Sequence, residues 1–157
     1  MPAPTGTVTF LFTDIEGSTH LWEQFPAAMR VAVARHDALL RQTIEAHDGY
    51  VFKTLGDAFC AAFATATAAL DAALEIQRRL ATTDDGPPTT EEVDTAGDQS
   101  VVAPVVGGPS SVVHLRVRIA LHTGAALERD SDYFGPPVNR VARLLATGYG
   151  GQTLLSL

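Results

Sequence analysis

The stretch Val8-Thr9-Phe10-Leu11-Phe12 constrains the fold more than any other part of the chain. Its apolar and β-branched residues leave no polar face, so it reads as a strand covered on both sides, over residues 5–13. The run stops at Asp14, and a turn of small residues, Glu16-Gly17-Ser18-Thr19, follows at once. A carboxylate there has a rigid backbone behind it. It needs either turn chemistry or a cation to account for it.

The remaining elements follow from spacing and punctuation. Pro26 opens a helix that runs to His47, with "HDG" closing it at Gly49. "YVFKT" and "AFCAAF" form a hairpin around "LGD". A helix from Thr65 to Leu80 carries an apolar stripe of Leu70, Ala73, Leu74 and Leu80. Residues 114–124 alternate as a strand, with Arg116 and Arg118 on one face and Leu115, Val117 and Ile119 on the other. Pro136 and Pro137 open a last helix, Gly148 closes it, and Val138, Val141, Ala142 and Leu145 line its apolar side. "QTLLSL" reads as a terminal strand. This order lacks regular βαβ spacing. The expected fold is therefore α+β, a ferredoxin-like sandwich with helices packed on one face of a mostly antiparallel sheet.

The 157 residues suit one domain, 1–157. Residues 82–113 hold six acids, four prolines, four glycines and no Lys or Arg, and they read as a flexible acidic insertion. The net charge of −7 argues against a nucleic-acid binder that works through a basic surface, but that segment carries −6 of it and the rest is close to neutral, so net charge says little about the ligand. Cys60 is the one cysteine, which excludes an internal disulfide and suits a small core residue. No segment has the roughly 20 apolar residues of a membrane span. The start "MPAPTG" lacks a signal-peptide pattern, so a cytoplasmic setting is expected.

Asp14 and Asp57 are the candidate pair of hard-oxygen ligands, one at a strand end and one in a hairpin turn. Neither has a basic neighbour in sequence. Backbone N–H groups at Gly17, Ser18 and Thr19 offer a cradle for a phosphate. Lys53 is the only lysine beside ten arginines, either a compact donor or a strand lysine reaching for solvent. Asn139 and Arg143 lie four apart on the last helix, as a sugar-and-phosphate pair or as a solvated face. "DIEGST" superficially approaches the D-x-D-G-T motif of aspartyl phosphatases, but Glu16 stands in place of the second Asp.

Together, "FLFTDIEGST", "VFKTLGDAF" and "DYFGPPVNRVARL" resemble, in the right order and over nearly the whole chain, the catalytic domain of class III nucleotidyl cyclases, bacterial adenylyl cyclase branch. The resemblance implies conversion of ATP to 3′,5′-cyclic AMP and pyrophosphate. It implies two divalent ions, Mg²⁺ or Mn²⁺, held by Asp14, Asp57 and the Ile15 carbonyl, with phosphates on Gly17, Ser18 and Thr19. It assigns Lys53 and Asp132 to the purine, Asn139 to the ribose and Arg143 to the transition state. Adenine offers an acceptor at N1 and a donor at N6, which suits Lys53 and Asp132; guanine reverses both. The resemblance further implies a head-to-tail homodimer with two shared sites. The family's domain usually continues through further strands beyond "GGQTLLSL", so a shortened form is expected.

Overall fold

The computed structural model describes residues 2–82 and 113–156, and all but the ends of the acidic insertion fall outside them. In chain order the elements are β1 (Thr7–Ile15), α1 (Ser18–Gln24), α2 (Pro26–Ala46), β2 (Tyr50–Leu55), β3 (Ala58–Phe63) and α3 (Ala66–Thr82). Then follow β4 (Val117–Ala125), β5 (Leu127–Arg129), β6 (Asp132–Phe134), α4 (Pro136–Ala146) and β7 (Thr153–Leu155). The main sheet has the order β2-β3-β1-β4-β7, and β5 with β6 forms a separate two-stranded ribbon. Only the β4–β7 pairing is parallel among the described strands.

β1 lies at the centre of the sheet because its side chains are apolar in both directions. Leu11 and Ile15 join the core under α2 and α3, while Val8, Phe10 and Phe12 join a second core with Val141 and Leu145 of α4. Helices therefore cover both faces, not one as the alternation of elements suggested. The fully covered strand already required this, since a second apolar face cannot be left to water. The fold is α+β with helices packed on a mostly antiparallel sheet, as expected.

α3 buries Ala69, Ala72, Ala73 and Ile76, whereas Leu74 is exposed. Small side chains form the contact and let the helix sit close, so the leucine stripe was the weaker guide. At the end of α2, Asp48 takes the left-handed conformation (φ 61°), and Gly49 is needed for a different reason. A Cβ there would lie 2.5 Å from the Phe63 ring and 2.6 Å from Ile44. Gly124 is similarly placed: a Cβ would meet Pro137 of α4 at 2.6 Å. The first turn of α4 rests on the backbone of β4.

Three short elements are poorly marked in the sequence: the start of a helical segment is legible at "IEGST" but not its length, and β5 and β6 are not legible at all. α1 has seven residues and no buried side chain, so it carries no periodic signal. β5 and β6 have three residues each and turn through Asp130 and Ser131, both at positive φ (53° and 63°). A tight turn with two such residues usually announces itself as Asn-Gly, and Asp-Ser is a faint substitute.

Candidate active site

Antiparallel pairing of β1 with β4 places Asp14 directly opposite Arg118. The guanidinium grips the carboxylate with both arms, Nε to Oδ1 at 2.6 Å and Nη2 to Oδ2 at 2.5 Å. Such a fork is among the stronger hydrogen-bonded pairs available to side chains. The Arg118 guanidinium is held above its ordinary pKa, chiefly by the hydrogen bond it donates to Asp14, with the charges of Asp14, Glu16 and Asp57 adding to it and burial opposing. Asp14 thus has a basic partner that sequence proximity concealed. The alternation of Arg116 and Arg118 along β4 marked a basic strand face, but not which carboxylate it would meet.

Asp57 sits in the two-residue turn between β2 and β3, after Gly56 at φ 58°. Its Oδ2 is buried and has no hydrogen-bond partner. A buried carboxylate oxygen without a donor is unfavourable unless a cation or a donor completes it. Among the described residues no three His, Cys, Asp or Glu side chains converge on a common point. The donor set is two carboxylates near the ends of adjacent strands. That fits a hard divalent ion that keeps water and takes its remaining oxygens from a bound phosphate, as Mg²⁺ commonly does.

Between these strands and α2, the turn after Ile15 places Gly17 in the left-handed region (φ 66°), ahead of Ser18 and Thr19 in the first turn of α1. No side chain caps this helix start.

A second pair forms on the other side of β3. Lys53 of β2 meets Asp132 of β6, Nζ to Oδ2, at 2.6 Å. Asp132 Oδ1 accepts the backbone N–H of Tyr133 at 2.8 Å. The hydrogen bond from Lys53, first, and that from Tyr133 hold the Asp132 carboxyl below its ordinary value, against an opposing effect of burial. Residues 79 positions apart in sequence are brought into contact, with one donor head and one acceptor head at a common edge. Cys60 lies beside Lys53 on β3, and burial pushes its thiol up to about 11, so it is inert near neutrality.

Asn139 and Arg143 project from α4 on its exposed side, away from the buried Val141 and Leu145. The ten sequence-derived positions therefore fall into three groups. Asp14, Ile15, Asp57 and the Gly17–Thr19 turn cluster at the ends of β1 and β2–β3; Lys53 and Asp132 pair; and Asn139 and Arg143 face outward.

The family model described as the adenylate and guanylate cyclase catalytic domain matches residues 1–157. An adenylate cyclase of Lachancea kluyveri is 38% identical over 159 residues, covering 98% of this chain and 8% of its own length. A receptor-type adenylate cyclase of Trypanosoma congolense is 35% identical over 170 residues, covering 97% of this chain and 23% of its own. Among solved structures, one from a study of Trypanosoma brucei adenylate cyclases in their monomeric state superposes with a TM-score of 0.72 at 34% identity. It covers 99% of this chain and 75% of that one. The chain belongs to the class III adenylate and guanylate cyclase catalytic domain family. It spans a small part of the curated relatives' length, and no described helix is long and apolar enough to cross a membrane.

Proposed function

We propose that this domain is an adenylate cyclase that converts ATP to cyclic AMP and pyrophosphate, and that it works as a cytoplasmic homodimer with two shared sites. The observation that carries the reading is the Lys53–Asp132 pair. A donor and an acceptor held side by side match N1 and N6 of adenine, and they mismatch N1 and O6 of guanine. Each mismatch would leave a desolvated polar group unpaired, a cost of about 1–3 kcal/mol apiece.

Asp14, Asp57 and the Ile15 carbonyl would hold two divalent ions, Mg²⁺ or Mn²⁺, which would activate the ribose 3′-hydroxyl and neutralise charge on the triphosphate. The unpartnered Oδ2 of Asp57 supports that assignment. The backbone at Gly17, Ser18 and Thr19 cradles phosphate oxygens. Asn139 orients the ribose through its amide. Arg143 donates to the α-phosphate oxygens, where charge grows as the 3′-oxygen attacks and pyrophosphate leaves. The outward direction of Asn139 and Arg143 fits a site completed across a two-fold axis, one chain supplying the carboxylates and the other the base-reading pair and α4.

A second reading, a nucleotide-binding or dimerisation module without turnover, is favoured by one observation. Both Asp14 oxygens accept from Arg118, so a metal ion would have to share them with the guanidinium. The two readings separate in an assay of cyclic nucleotide formation from ATP and from GTP, with Mg²⁺ or Mn²⁺, over a series of protein concentrations. Cyclase activity is expected to favour ATP, to rise per mole of protein with concentration, and to vanish in Asp14→Ala. ATP binding without product at any concentration would leave the module reading.

A further inference from the structure

The β5–β6 ribbon carries Asp132, yet it is not hydrogen-bonded into the main sheet. Three-residue strands in a lone ribbon do not hold themselves in place. Among residues 127–134 the one buried side chain is Tyr133, 3% exposed. Its ring packs edge-on against Phe52 (centroids 4.8 Å) and against Phe10 of the central strand (5.3 Å). Its hydroxyl donates to the Pro4 carbonyl at 2.5 Å, which ties the ribbon to the segment that leads into β1. Burial pushes that phenol up to about 12, so it stays a donor at any physiological pH.

Phe52 and Tyr133 flank the base-reading pair in sequence. Phe52 precedes Lys53 at an irregularity in the β2–β3 register, and Tyr133 follows Asp132. The contact between the two rings thus spans the same gap as the Lys53–Asp132 pair.

We propose that Tyr133 is a positioning residue: its ring against Phe52 and its hydroxyl on Pro4 fix the ribbon so that Asp132 meets Lys53, and thereby set the preference between purine bases. The part concerning bases rests on the adenylate cyclase reading above; the part concerning Asp132 does not.

Two readouts on three proteins test it: the full chain as it stands, Tyr133→Leu, which keeps apolar bulk but loses ring and hydroxyl, and Tyr133→Phe, which loses only the donor to Pro4. The first readout is the carboxyl titration of Asp132 by NMR without nucleotide. It is expected to move up toward the ordinary carboxylate range in Tyr133→Leu, and by less in Tyr133→Phe. The second is steady-state kinetics with ATP and GTP. KM for ATP is expected to rise about tenfold in Tyr133→Leu, with kcat falling less, and the ATP-to-GTP preference to drop by a similar factor.

An unchanged Asp132 titration in Tyr133→Leu, alongside a lowered melting temperature, would show a packing residue only and overturn the proposal. Should Tyr133→Leu fail to fold, an unchanged titration and an unchanged base preference in Tyr133→Phe would do the same. If the unaltered chain forms no cyclic nucleotide, the adenylate cyclase reading fails, while the titration still decides whether Tyr133 positions Asp132.

Discussion

The Asp14–Arg118 pair and the Lys53–Asp132 pair have the same chemistry and very different mountings. Asp14 and Arg118 face each other within a nine-residue antiparallel ladder, so backbone hydrogen bonds fix their separation. Lys53 and Asp132 join an edge strand to a ribbon outside the sheet, so no shared backbone ladder fixes theirs. A carboxylate meant for chemistry benefits from the stiff mounting, because misplacement by about 1 Å can cost about a hundredfold in rate. If the second pair reads a base, as proposed, it can tolerate a softer one.

The comparison predicts its largest contrast in turnover. Asp14→Asn is expected to reduce cyclic nucleotide formation by about a thousandfold or more, since the proposed metal site would lose one of its two carboxylates. Asp132→Asn is expected to lose far less activity and instead to change the ratio of ATP to GTP use. Parallel kcat/KM measurements on both variants check this. If Asp132→Asn were as inactive as Asp14→Asn with an unchanged base ratio, the division of labour would be wrong.

Next in size is Arg143→Ala, expected to lower kcat by about a hundredfold while leaving KM for ATP near its original value if, as proposed, the guanidinium acts on charge that develops during the reaction. A rise in KM with kcat intact would instead make Arg143 a ground-state contact.

Then comes the removal of the competing cation. Arg118→Gln releases Asp14, and Mn²⁺ binding to the nucleotide-free protein, followed by electron paramagnetic resonance, is expected to tighten by about tenfold as the carboxylate gains freedom to coordinate. Unchanged binding would mean that Asp14 is not a ligand of the free ion.

The smallest effect is a dependence of stability on acidity. Asp132 is held below its ordinary value in the folded chain, so its pairing stabilises fully above the unfolded carboxylate pKa and is lost as pH falls through the lower folded value. The difference in melting temperature between the protein and Asp132→Asn is therefore expected to be constant near neutrality and to close in acid, as pH falls below the ordinary carboxylate range.

Most of the fold could be read from residues that punctuate or alternate. Pro26, the two prolines at 136 and 137, and the alternation on β4 placed α2, α4 and β4 within a few residues of where they lie. Local pattern fails where an element is too short to repeat, as with α1 and the β5–β6 ribbon. It fails again where a small side chain does the packing, as with the alanines of α3. The site divides in the same way. Motif order marked the ten candidate positions, whereas the partnership of Asp14 with Arg118 depends on strand register between residues 104 positions apart, which no local window contains. The unpartnered oxygen of Asp57 is likewise a property of packing rather than of sequence.

The missing methyl at Gly124 has a mechanical consequence. Pro137 rests on that bare backbone, and Arg143 stands six residues further along the same rigid rod, about 9 Å away at 1.5 Å per residue. The contact works as a pivot seated on a shim of zero thickness. Inserting even an alanine would wedge the rod upward at its bearing and swing Asn139 and Arg143 through an arc, detuning the far end of the lever without touching a residue that meets the substrate.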